Sequence, residues 1–191
     1  MMPMARVAIL LLAAALAAPA PAGAAEVSGI EIPDQVRLEN QTLILNGAGV
    51  RRKFFFRIYL GALYLPTATT EAEQAITMPG PKRVLMHFIY DELTREQIVG
   101  AWNDGFEANL TAGERQALGD AITRFNELFT GVAAGDELYI DYLPGEGTRV
   151  MLNGVTRGIV EGEDLARALL RIFLGKDPAD SSLKRGMLGR G

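Results

Sequence analysis

The stretch Leu45–Pro66, LNGAGVRRKFFFRIYLGALYLP, decides how the rest of the chain is read. It joins the glycine-rich run Asn46-Gly47-Ala48-Gly49 to a long run of aromatic, β-branched and leucine residues that ends at Pro66. Asn-Gly is a strong turn signal, so the spacing predicts a turn at Asn46-Gly47 and one strand from Lys53 to Leu65. Alternation of side chains along a strand then puts Phe55, Arg57, Tyr59 and Leu63 on one side. Phe54, Phe56, Ile58, Leu60 and Tyr64 share the other. If both sides are covered, the polar groups of Arg57 and Tyr59 need a partner or a ligand, because burying an unpaired polar group is costly.

Outward from that strand, short β-patterns precede it at Val27–Ile32 and Thr42–Leu45, and Arg83–Tyr90 returns to strand with Val84, Met86 and Phe88 on one face and Leu85 and His87 on the other. Two helices follow. Thr94 with Gln97, and Thr111 with Glu114, have the spacing at which a threonine and a residue three positions later cap a helix reciprocally. Ile98, Trp102, Phe106 and Leu110 form the apolar stripe of the first, and Leu118, Ile122, Phe125 and Phe129 that of the second, read as running until Gly131. Glu137–Leu143, Thr148–Leu152 and Thr156–Val160 read as three antiparallel strands, the last two joined by Asn153-Gly154. Asp164–Leu174 closes the pattern as an amphipathic helix capped by Gly175. Strands before and after a block of helices indicate the α+β class, an antiparallel sheet with helices on one face.

The 191 residues include no cysteine and a single histidine, His87. The core must hold the fold without disulfides, and neither a zinc nor an iron–sulfur site has the ligands it needs, so no metal and no cofactor is expected. Arg6, the apolar run Val7–Ala18 and the small residues Ala22-Gly23-Ala24 have the layout of a secretory signal peptide with cleavage near Ala24. The run is too short to span a bilayer. This gives a leader at 1–24, a single domain at 25–180 and a flexible tail at 181–191, in a protein expected in the periplasm or outside the cell with no stable membrane insertion after cleavage. Arg6 is the only charged residue of the leader, so its removal takes the formal charge from −4 to −5, which argues against nucleic acid as a partner.

Four stretches in this order, Asn46–Arg51, Tyr59–Leu65, Phe125–Phe129 and Leu170–Lys176, resemble the chalcone isomerase family, in particular its bacterial secreted branch. The resemblance covers nearly the whole chain after the leader. It implies an open-faced β-sandwich, a large antiparallel sheet with a layer of helices and a ligand cleft between them. The resemblance implies that the plant enzymes of the family close a chalcone into a flavanone with an arginine after the glycine turn, a threonine on the long strand, a tyrosine, a lysine and an asparagine along the next helix and a hydroxyl residue on the late helix. Arg51 matches the arginine and Tyr59 stands at the threonine, but Thr94–Asn103 has no tyrosine or lysine and the late hydroxyl position falls near Ala166. Such losses remove the hydrogen bonds that stabilise the reacting oxygens, about 3 kcal/mol for a single donor. An arginine beside a tyrosine instead resembles the non-catalytic fatty-acid-binding members of the family, and a guanidinium with a phenol suits a carboxylate on chemical grounds as well.

The resulting expectation is a non-catalytic protein that binds a fatty acid or similar small carboxylate through Arg51 and Tyr59, with Arg52, Arg57 and Tyr64 as further candidates. Two alternatives stand beside it. One is an isomerase or lyase on another substrate, with Arg51 as electrophile and Tyr59 as acid. The other is a structural or interaction protein with a vestigial cleft. The ordinary roles for the same residues are a solvated turn for Arg51 and Arg52, an ion pair of Arg57 with Asp141 or Glu137, and core packing for Tyr59 and Tyr64.

Overall fold

The computed structural model describes residues 23–190. The leader expected at 1–24 lies almost wholly outside the described residues. The chain enters through a hairpin of β1 (Ala24–Val27) and β2 (Ile30–Pro33), turned at Ser28-Gly29, where both residues have positive φ. The run Val27–Ile32 is thus a strand–turn–strand. Two central residues of left-handed backbone match the twist of a two-residue hairpin.

Next come β3 (Gln35–Leu38), β4 (Gln41–Lys53) and β5 (Phe56–Leu65). Here the structure corrects the sequence reading: Asn46-Gly47 is no turn but lies in the middle of the thirteen-residue β4, and the reversal occurs at Phe54-Phe55. A short helix α1 (Ala72–Thr77) leads to β6 (Lys82–Phe88), and β7 (Glu92–Leu93) leads to α2 (Arg95–Asn109). Both predicted reciprocal caps are present, at Thr94 with Gln97 and at Thr111 with Glu114. The helix begun by Thr111 breaks at Leu118 into α3 (Ala112–Ala117) and α4 (Gly119–Glu127). After β8 (Val132–Ala133), the strands β9 (Glu137–Leu143), β10 (Gly147–Leu152) and β11 (Val155–Val160) form the predicted meander, with positive φ at both Asn153 and Gly154. The chain closes with α5 (Glu163–Leu174) and α6 (Ser181–Met187).

The main sheet is antiparallel and seven-stranded, in the order β11-β10-β9-β6-β5-β4-β3. The helices lie on one face, where Leu63, Val84, Met86 and Phe88 of the sheet meet Trp102, Phe106, Phe125 and Phe173. On the opposite face Leu60, Ala62, Tyr64 and Leu85 pack with Ile32 of the β1–β2 hairpin. This is the α+β architecture expected from the element order, and the open-faced sandwich that the resemblance implies.

Residues 181–191, expected as a flexible tail, contain α6, whose Leu183 and Met187 are fully buried against the sheet. Asp180 starts it, accepting hydrogen bonds from the backbone N–H groups of Ser182 (2.7 Å) and Leu183 (2.9 Å). The seating of α6 also explains why Gly47 and Gly49 sit inside a strand. A Cβ at Gly47 would lie 2.2 Å from the carbonyl oxygen of Gly186, and one at Gly186 would lie 2.4 Å from that of Ala48. Helix and strand backbones touch there, so the glycines serve close approach and not chain reversal.

Candidate functional site

Strands β4 and β5 carry the two residues that the sequence singles out most strongly. Their pairing sets Arg51 opposite Tyr59 and Arg52 opposite Arg57, which leaves Ile58 as an extra residue in β5. Such a bulge interrupts strict alternation. Ile58 and Tyr59 therefore both face the helix layer, whereas the outer part of the strand is out of phase with the inner part. Arg51, paired with Tyr59, faces the same way.

On that side the sheet, α2 and the segment after α5 enclose a cleft of about 500 Å³. Arg51, Ile58, Tyr59, Met86 and Phe88 form the sheet wall. Phe54 and Phe56 of the hairpin lie on it too, and Ala101, Gly105 and Ala108 of α2 keep the opposite wall low. Gly105 is needed, since a Cβ there would meet Ile172 of α5 at 2.7 Å. Behind this wall Trp102 is wedged edge-on against Phe125 and Phe173, with ring centroids 5.4 and 5.8 Å away. That aromatic block makes the inner end of the cleft apolar and stiff.

Beside Arg51 and Tyr59 the cleft carries Lys53, Tyr90, Gln97, Asp104 and Asp177, and its buried polar groups are incompletely paired. The Arg51 guanidinium carbon lies 5.7 Å from the centre of the Tyr59 ring. Arg51 Nε is buried without a hydrogen-bond partner, and no carboxylate within 4.0 Å neutralises the guanidinium among the described residues. Trp102 Nε1, on the α2 side, is likewise buried and unpartnered. Tyr59 is 3% exposed, and burial pushes its hydroxyl up to about 12 against the partly offsetting charge of Arg51. It is consequently a neutral hydrogen-bond donor throughout the physiological range. Asp180 sits nearby: burial works to raise its pKa, but hydrogen bonds from Ser182, Arg52 and Leu183 together hold it below the usual carboxylate value. Its oxygens are thereby committed to the backbone of Arg52 (2.9 Å) and the start of α6.

Of the five candidate residues, the fold brings Arg51 and Tyr59 together on the cleft and sets Arg52, Arg57 and Tyr64 elsewhere. Arg52 is exposed, and its backbone N–H donates to Asp180. Arg57 is exposed on the outer part of the hairpin, where the bulge has broken the parity that linked it to Tyr59. It does not pair with Asp141, which is held by Arg83 (2.6 Å) and Arg149 (3.0 Å), nor with Glu137, which is engaged by His87 and Tyr139. Tyr64 lies in the core of the opposite face, its hydroxyl donating to the carbonyl of Pro33 at 2.9 Å. Sequence reasoning overlooked the cleft role of Trp102, which reads as an ordinary core stripe. The signal available was the run of small residues Ala101, Gly105 and Ala108 on its own helix, too small to fill the space against a sheet.

A family model described as chalcone isomerase-like matches residues 24–189. Among solved structures, the chain is similar to a fatty-acid-binding protein of Arabidopsis thaliana, with a TM-score of 0.69 at 14% identity over 87% of this chain and 96% of that one. At that identity the likeness is one of fold. No curated protein sequence matches the chain.

Proposed function

The chain belongs to the chalcone isomerase-like family, and on that premise we propose that it is an exported, non-catalytic binding protein for a fatty acid or a similar small carboxylate. The carboxylate sits on Arg51 and Tyr59, and the acyl chain runs along the apolar wall towards Trp102. The observation that carries this reading is the buried, unpartnered Nε of Arg51 beside the apolar side chains of Ile58, Met86, Phe88 and Trp102 on the cleft. A guanidinium cannot shed its charge, so a planar bidentate anion is the partner that satisfies it, and a protonated phenol adds one donor. The fatty-acid-binding neighbour of the same fold supports the ligand class.

What supports the absence of turnover is the composition of the α2 wall. Its residues on the cleft include neither tyrosine nor lysine, and Ala166 lies away from the cleft, on the buried face of α5. Arg51 and Tyr59 can hold an anion but supply no base; the carboxylates that border the cleft are Asp104 and Asp177. Export rests on the leader-like segment that ends near Ala24. Calorimetric titration of delipidated protein with palmitate tests the binding and is expected to show saturable one-to-one association. A flat titration, or an affinity untouched by removal of the Arg51 guanidinium, would overturn it. Amino-terminal sequencing of protein from the native host tests export, with a mature start near Ala25 expected.

A further inference from the structure

The tip of the β4–β5 hairpin exposes three consecutive phenylalanines to water, Phe54 at 85%, Phe55 at 98% and Phe56 at 55%. Single exposed apolar side chains are ordinary, but a contiguous aromatic patch at a protruding tip marks a contact surface. The backbone does not call for these residues: Phe54 adopts φ +56°, a left-handed turn conformation in which bulky side chains are rare and glycine or asparagine is favoured. Around the rings, Arg51, Arg52, Lys53 and Arg57 place four cations and no anion within seven residues, in a chain whose formal net charge is −4. Arg52, Lys53 and Arg57 are exposed.

We propose that this tip docks the protein on an anionic lipid bilayer, its rings entering the headgroup region and its basic flank meeting the lipid phosphates. Aromatic rings settle at the boundary between hydrocarbon and water, and neighbouring cations add attraction to a negative surface. A second copy of this chain fits the tip poorly, since it would set the four cations of one copy against the four of the other. Phe54 and Phe56 also border the cleft, so a docked tip holds the mouth of the cleft at the membrane surface. Docking does not need the ligand reading; passage of a lipid from bilayer to cleft rests on it.

Sedimentation with vesicles of phosphatidylglycerol and phosphatidylcholine in equal parts tests the docking. The parent protein is expected to sediment with these vesicles and far less with phosphatidylcholine alone, and to be released by salt. Phe55→Ser, which changes a ring that touches nothing in the protein, is expected to weaken the association by about tenfold. Arg52→Gln and Arg57→Gln are each expected to weaken it by about fivefold. All three variants should melt like the parent and bind palmitate in solution like the parent, so a failed docking is distinguishable from a failed ligand reading. Absence of the parent from the vesicle pellet, an unchanged Phe55→Ser, or a dimer that Phe55→Ser dissolves without any vesicle association would each overturn the proposal.

Discussion

Replacing Arg51 by methionine, which keeps an unbranched stem and removes every donor, should move stability and affinity in opposite directions. Without ligand, Arg51 Nε is buried and unpaired, a state that costs about 1–3 kcal/mol. The same guanidinium gains a little from the face of Tyr59 at 5.7 Å, about 0.5–1 kcal/mol for such a contact. The difference leaves Arg51→Met more stable than the parent by up to about 2.5 kcal/mol, which for a domain of this size raises Tm by up to about 10 °C. In the complex the balance reverses, because a bidentate charged pair is lost. At about 1.5–3 kcal/mol for a charge-assisted hydrogen bond, palmitate should bind about tenfold to 150-fold more weakly. Differential scanning calorimetry of delipidated protein and calorimetric titration of the same sample read the two quantities. A variant that melts lower than the parent yet binds palmitate equally well would show that Arg51 serves the scaffold and not the ligand.

Tyr59→Phe removes one neutral donor and should weaken palmitate binding by about three- to tenfold; because the Tyr59 hydroxyl stays protonated up to about 12, the parent's affinity should show no loss between pH 7 and pH 10 from this group. Gly186→Ala forces a methyl group to within 2.4 Å of the Ala48 carbonyl and should cost about 1–3 kcal/mol of stability, seen as a lower urea midpoint. Glu114 accepts hydrogen bonds from the backbone of Thr111 and from Arg171, which hold it at about 2 against an ordinary 4.5. A carboxyl depressed in the folded state contributes stability above its unfolded pKa and loses it as pH falls through the folded one. Urea melts from pH 5 down to pH 2 should therefore fall less steeply for Glu114→Gln than for the parent.

The parts of the fold that follow from short-range chemistry are legible in the sequence. Asn153-Gly154 predicts a hairpin and makes one, and Thr94 and Thr111 cap the helices that their spacing announces. Asn46-Gly47 carries the same turn signal and is a strand instead, because its glycines answer to a helix about 140 residues away. No local window contains that contact. Phe54-Phe55 turns the chain with residues that turns disfavour, so nothing in the sequence marks the reversal. The bulge at Ile58 is equally silent, and one extra residue is enough to separate Arg57 from Tyr59. Helix α6 escapes notice because its composition is that of a linker, while its stability comes from Leu183 and Met187 meeting the sheet. Arg51 and Tyr59 are singled out by the family resemblance and not by the strand reading; their pairing across β4 and β5 is set by the reversal at Phe54-Phe55.

Trp102 is the only tryptophan in the chain, and it stands at the inner end of the cleft with its indole N–H unbonded. The molecule therefore carries a built-in fluorophore whose surroundings change with whatever occupies that space. Any guest that displaces solvent beside the indole, or offers its N–H an acceptor, will alter the emission spectrum, so occupancy can be followed optically in the unlabelled protein.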